Sequence, residues 1–197
     1  MNAALETALD RFRDAWASVE AATAEGTLDL IVRRPSVDER ETLDVAELDP
    51  ALGLRGDDWS RRGSGRTADG GPDPAAQITL ISTRVLAAIE PDRSRWPLAG
   101  DQLYVDVDLS VAALPPGSRL RIGSAVVEIS EPPHTGCAKF SARFGSDALR
   151  WINSARGREL RMRGANARVV VGGEIRRGDP VRPVDGSVDQ AEASSPG

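Results

Sequence analysis

The sequence predicts a mainly β domain, closed or sandwich-like, carrying a few short helices and preceded by one helical arm. Three observations predict it. Short apolar stretches with period-2 alternation recur from Leu28 to Val181. Nineteen glycines and 13 prolines break these stretches at turn-like intervals. A helical period of any length is confined to the N-terminus. Many short strands joined by tight turns, without the strand–helix–strand rhythm of a parallel sheet, favour a barrel or a sandwich.

In the arm, residues 1–26, Leu5, Ala8, Leu9, Phe12, Ala15, Trp16 and Val19 recur at helical spacing, and Gly26 is the expected stop. The β domain is expected over 27–183. TLDLIVRRP reads as a strand ended by Pro35, and ERETLDVAELDP as a second strand or a strand pair. Residues 53–74, GLRGDDWSRRGSGRTADGGPDP, have loop composition. QITLIS is an apolar strand and TRVLAAIE a short helix closed by Pro91. QLYVDVDLS alternates through Leu103, Val105, Val107 and Leu109, with Asp106 and Asp108 on the other face. LPPG is a turn, and RLRIG and AVVEIS form a hairpin about Gly123 and Ser124. EPPHTGCAKFSARFG reads as a loop, and SDALRWINS as a helix with Ser146 as N-cap. RELRMRG, ARVVVGGEI and DPVRPV read as further strands. The tail, 184–197, is polar and expected to be disordered.

Composition excludes several function classes. Net charge is −5, from 25 basic and 30 acidic residues, which gives no general attraction to nucleic acid or an anionic membrane. No apolar run approaches the roughly 20 residues of a membrane span. MNAALETALDRFRDAW carries acids and no apolar core, so no secretory leader is expected, and the lone cysteine fits a reducing, cytoplasmic setting. A single cysteine and a single histidine exclude CxxC redox, zinc and multi-histidine sites. GSGRTADGG lacks the Lys-Ser/Thr of a P-loop, and no serine sits in a nucleophile elbow. Lys139 is the only lysine among the basic residues. That bias reflects base composition, yet arginine forks also suit phosphate and carboxylate groups.

The only histidine and the only cysteine fall three residues apart, in Pro132-Pro133-His134-Thr135-Gly136-Cys137. Lys139 and Arg143 follow, and positive neighbours with free backbone amides favour a thiolate, the form that attacks electrophiles and binds soft metals. A free cysteine is also often a small buried apolar residue, and His134 can serve simply to cap a backbone group. The glycine- and arginine-rich loop 53–74 is expected beside Cys137, as the second wall of one anion-binding cavity.

Three runs, GDQLYVDVDLS, LPPGSRLRIGSAVVEISEPPHTGCAKFSARFGSDALRWIN and RELRMRGANARVVVGGEIRRGDPVRP, resemble the MOSC family. MOSC denotes the C-terminal domain of molybdenum cofactor sulfurases and its stand-alone bacterial relatives. IVRRP, GLRGDDW and DGGPDP match its N-terminal half, so the resemblance spans roughly 28–183. It implies a β-barrel core. It also implies that Cys137 carries sulfur or ligates the molybdenum of a pterin cofactor, and is the catalytic residue if the protein is an enzyme. Arg55, Arg61, Arg66, Arg143 and Arg168, with His134, Lys139 and Asn166 of the matching blocks, are the implied cofactor-binding residues. The chain departs from the family in two ways. It has no pyridoxal-phosphate site with which to mobilise sulfur from cysteine. Asp69 also stands where many stand-alone relatives have histidine before GGPD. Two functions stay open: a carrier of sulfur or molybdenum cofactor with donor and acceptor protein partners, or a molybdenum-dependent reductase of N-hydroxylated compounds served by a separate electron-donor protein. A third is a domain that acts only through protein contacts.

Overall fold

A computed structural model describes residues 15–184. Its strands are β1 (Gly26–Arg33), β2 (Glu41–Leu43), β3 (Val45–Asp49), β4 (Gly53–Leu54), β5 (Ile78–Ser82), β6 (Leu103–Val105), β7 (Arg119–Ile122), β8 (Ala125–Ile129), β9 (Ala165–Val171), β10 (Gly173–Arg176) and β11 (Pro180–Val184). The helices are α1 (15–20), α2 (Thr83–Ile89), α3 (Ala138–Phe144), α4 (Ser146–Ile152) and α5 (Ala155–Glu159). Seven strands follow one another in the order β11-β7-β8-β9-β5-β6-β1, and pairing of β1 with β11 closes them into a barrel. β2 hangs on β1 outside the ring, and β10, β3 and β4 form a separate small sheet. Every pairing is antiparallel except β5 with β6, whose connection holds α2 and the 3-10 helix Arg93–Ala99. Closure rests on a short register, Gly26 opposite Val181 and Thr27 opposite Pro180.

The barrel is lined by Leu28, Ile31, Leu80, Leu103, Val105, Leu120, Val127, Ala167 and Val181. A second core covers its outer wall, where Val32, Ile81 and Tyr104 meet Phe140, Ala148, Trp151, Ile152 and Met162. Neighbouring residues of one strand thus serve opposite cores, Ile31 and Val32 or Leu80 and Ile81. Strands buried on both faces read as unbroken apolar runs, which is why QITLIS lacks alternation. The helical arm joins the outer core through Ala15 and Val19, and Trp16 stacks edge-on to Trp151 at 5.3 Å. Among the described residues no helix is long and apolar enough to cross a membrane.

Several local expectations are corrected. The described part of the arm ends at residue 20, and Gly26 begins β1 instead of stopping a helix. A Cβ at Gly26 would lie 1.8 Å from the Asp106 carbonyl oxygen, so the bare residue lets β1 and the end of β6 approach. The ladder of QLYVDVDLS ends at Val105, although Asp106 and Asp108 amides still donate to the Thr27 and Thr23 carbonyls. EPPHTGCAKFSARFG is a loop only as far as Cys137, because α3 forms to bury Phe140 against the outer core. Gly145, not Ser146, caps α4. RELRMRG is no strand. Ser154 caps α5 by accepting from the Gly157 amide at 3.0 Å, and Arg161 then turns the chain with φ +45°. The alternation of Leu160 and Met162 came from a helix end packed on the core. Leu5, Ala8, Leu9 and Phe12, and the tail after Val184, lie outside the described residues.

Candidate functional site: a thiol in a cationic cleft

Beyond β8 the prolines keep the chain extended, and Cys137 follows with φ −121° and ψ 178° as the residue before α3. Gly136 is held at both ends of its backbone by the Asn153 side chain. Its amide donates to Oδ1 at 3.1 Å, and its carbonyl accepts from Nδ2 at 3.3 Å. A Cβ at Gly136 would lie 2.5 Å from Leu149 Cδ1, so the glycine lets the loop lie flat on α4. The Cys137 thiol is exposed. Partial burial works against its ionisation, but the backbone amides of Phe140 and Lys139 and the charges of Arg163 and Arg143 outweigh it, so its pKa lies below the ordinary thiol value.

The thiol opens on a cleft of about 680 Å³ walled by cations. Arg34, at the end of β1, is buried. Its Nε and NH2 donate to Asp57 at 2.9 and 2.8 Å, and its NH1 donates to the Gly100 carbonyl at 2.9 Å. The same Asp57 accepts from the Arg34 and Trp59 amides, which moors loop 53–74 to the barrel rim. Arg163, in the turn before β9, donates from NH1 to both oxygens of the fully buried Asp101, at 3.0 and 2.7 Å, and from NH2 to the Ala99 carbonyl at 3.0 Å. Its guanidinium lies 5.0 Å from the centre of the Phe140 ring, and its Nε has no partner among the described residues. From α3, Arg143 donates to the Leu98 carbonyl at 2.8 Å and to Asp38 at 3.1 Å, and Lys139 lies 3.6 Å from the same Asp38 oxygen. Arg40 completes this wall. Burial and the nearby charges of Arg143 and Arg34 push its pKa down, and its Nε likewise lacks a partner. Arg61 and Arg62, the latter paired with Asp58, close the opposite side.

A smaller cleft of about 270 Å³ adjoins the first, and Arg34, Arg62 and His134 line both. It also takes in Ser64, Arg66, Thr135 and Asn166. His134 Nδ1 stands 3.4 Å from Asp101 Oδ1. Burial, reinforced by the charges of Arg163, Arg34 and Arg66, holds its pKa well below the usual imidazole value, so it is neutral. Although Asp101 lies close, His134 Nδ1 makes no hydrogen bond among the described residues.

Of the residues expected at the site, Cys137, His134, Lys139, Arg143 and Arg61 share the larger cleft, and Arg66 and Asn166 line the smaller one. Arg55 and Arg168 line neither. Arg55 pairs with Glu47 and Asp49, and Arg168 with Glu128, whose pKa Arg168 and Arg119 pull down against the effect of burial. Sequence reasoning missed Arg34, Arg40, Arg62 and Arg163, and the buried acids Asp57 and Asp101 that hold two of them. The one signal available was Arg34 beside the strand-ending Pro35; Arg163 was hidden in an assumed strand.

The family model of the MOSC domain matches residues 69–182. No functionally curated protein matches the chain. Among solved structures, the YuaD protein of Bacillus subtilis is similar at 17% identity and TM-score 0.59, over 80% of this chain and 94% of its own. YiiM of Escherichia coli is similar at 18% identity and TM-score 0.53, over 83% of this chain and 72% of its own. YiiM of Geobacillus stearothermophilus is similar at 15% identity and TM-score 0.53, over 81% and 74%. These likenesses concern the fold, a closed seven-stranded barrel with a few short helices. With the family model matched over more than half its length, the chain belongs to the MOSC domain family.

Proposed function

We propose that this protein binds and hands on molybdenum cofactor or its sulfur, with Cys137 as the residue that holds the transferred group. The observation that carries this reading is the exposed, ionisation-prone thiol on a cleft where Arg34, Arg40, Arg62, Arg163, Arg143 and Lys139 converge, in a protein whose net charge is −5. Concentrated positive charge in an acidic protein is costly unless an anion neutralises it. Among the described residues, Arg40 Nε, Arg163 Nε and His134 Nδ1 are buried around the cleft without hydrogen-bond partners. The residues present fit a phosphorylated pterin. Guanidinium forks match phosphate oxygens, and the adjoining cleft with Asn166, Thr135 and Ser64 offers neutral donors and acceptors to a polar ring. No group of three or more His, Cys, Asp or Glu side chains among the described residues could hold a metal ion alone. A metal here would bring its other ligands with the cofactor. When bound, the cofactor supplies a soft metal that accepts a thiolate or exchanges sulfur.

The chain's own residues have separable duties in this reading. The Phe140 and Lys139 amides, with the charges of Arg163 and Arg143, favour ionisation of Cys137. Asn153 fixes the Gly136 peptide, and so the direction in which the sulfur points. His134, neutral and close to Asp101, presents an imidazole at the junction of the two clefts. The test is metal and pterin analysis of the full chain purified from a host that makes molybdenum cofactor. Wild type is expected to carry molybdenum with pterin or sulfane sulfur, and Cys137→Ser to carry neither while keeping the wild-type circular dichroism spectrum. Equal loading of the folded variant would refute the reading.

A further inference from the structure

We propose that Cys137 takes its sulfur directly from a small dianionic sulfane-sulfur donor of the thiosulfate class, whose sulfonate end is bound by Arg163, Arg143 and Lys139. The inference rests on Cys137 acting as a sulfur-carrying thiolate and adds the chemical class of the donor. Three features of the cleft point to it. The attacking atom is accessible and lies beside cations, not beneath apolar side chains. Arg163 is 7% exposed and lines the cleft, and although NH1 donates to Asp101 and NH2 to the Ala99 carbonyl, its charge also acts on Cys137. A guanidinium charge at the cleft wall attracts an oxyanion without needing its buried Nε–H to be reached. Lys139 and Arg143 share only the exposed Asp38 carboxylate, and exposed ion pairs of this kind are weak, so a dianion displaces it readily.

The cleft's proton inventory selects the leaving group. Burial keeps His134 neutral, and Asp38 and Asp58 are engaged as acceptors by Arg143, Lys139 and Arg62. None of these three is placed to protonate a leaving group, and Lys139, the ammonium of the cleft wall, is held by Asp38. Sulfite needs no such help, because it leaves as a stable dianion. In the step, Cys137 Sγ attacks the outer sulfur and forms an Sγ–S bond. The bond from that sulfur to the sulfonate breaks, and its electron pair leaves with sulfite. A thiolate and thiosulfate become a persulfide anion and sulfite, so charge is conserved and no external oxidant or reductant is consumed. The guanidinium groups hold the oxyanion on both sides of the step and meet the charge that builds on it as the bond breaks.

The experiment uses the reduced full chain with thiosulfate or, in parallel, with cysteine persulfide, which lacks the sulfonate. Intact-mass measurement is expected to show one sulfur atom gained from thiosulfate, with one equivalent of sulfite released and thiocyanate formed when cyanide is added. Cys137→Ser should gain none. Arg143→Gln should lose about tenfold more rate with thiosulfate than with cysteine persulfide, as for loss of one charged hydrogen bond, so that the ratio of the two rates reports the sulfonate contact and not the ionisation of Cys137. Asp38→Asn, which frees the same cations, should load faster from thiosulfate, and added salt should erase both effects. Loading from cysteine persulfide alone, or loading from thiosulfate that ignores Arg143 and Asp38, would overturn the inference and leave the sulfur-carrying thiolate intact. Loading from neither donor would remove both.

Discussion

Replacing Asp57 with alanine is expected to unfold the cleft before it alters any chemistry. Asp57 is 4% exposed, and its two oxygens accept from Arg34 N, Nε and NH2 and from the Trp59 amide. Without it the Arg34 guanidinium, 6% exposed, keeps only the Gly100 carbonyl. Burial, the largest single influence, lowers the pKa of Arg34, but Asp57 with the charges of Asp101 and Asp58 raises it by more, so these carboxylates hold that charge in the interior. Removing one partner of a buried pair costs about 3–5 kcal/mol. For a protein of this size each kcal/mol moves Tm by about 2–4 °C, so a fall of roughly 6–20 °C is expected by calorimetry. The exposed Arg55–Glu47 pair provides the contrast, and Glu47→Ala should change stability by less than about 1 kcal/mol. Arg34→Met with Asp57→Leu should recover much of the loss, because an apolar pair leaves no orphaned charge. An Asp57→Ala protein that melts within about 2 °C of wild type would refute the claim that this pair moors loop 53–74.

Further tests concern the thiol, the histidine and one glycine. Alkylation of Cys137 should follow an apparent pKa below the roughly 8.5 of a free thiol, rising in Arg143→Gln; a profile at or above the free value would remove the thiolate. His134 has a folded pKa below its ordinary 6.5, so the unfolded chain binds the proton first. Its contribution to stability is whole above that value and is lost as pH falls toward the folded pKa. Denaturant midpoints of His134→Gln should therefore fall less steeply than wild type on going from about pH 6.5 to 5, and equal slopes would count against the assignment. Gly164→Ala should cost roughly 2–5 kcal/mol in denaturant unfolding, because its φ is +111° and the added Cβ would meet the Leu80 carbonyl oxygen at 2.1 Å. A near-neutral effect would show that the turn bearing Arg163 relaxes freely.

The β class of this protein follows from its sequence alone, because period-2 apolar stretches and their glycine–proline punctuation are local properties of the chain. Leu28, Leu30 and Val32, or Arg119 to Ile129 about the Gly123–Ser124 turn, need no distant partner to be read as strands. The same holds for Cys137, whose uniqueness and neighbours mark it wherever the chain goes. The tertiary structure alone decided what lies across space from it. Closure joins β1 to β11 across nearly the whole chain, and no local pattern encodes that pairing. Helix α3 was illegible because Phe140 gains its burial from the outer core, whose other members lie on distant elements. Arg34, Arg62, Arg143 and Arg163 come from four segments far apart in sequence, and among many arginines nothing local separates them from Arg55 and Arg168. What separates them is three-dimensional: buried Asp57 and Asp101 hold Arg34 and Arg163 at the rim of the barrel, whereas Arg55 and Arg168 are half exposed and pair with carboxylates away from the cleft.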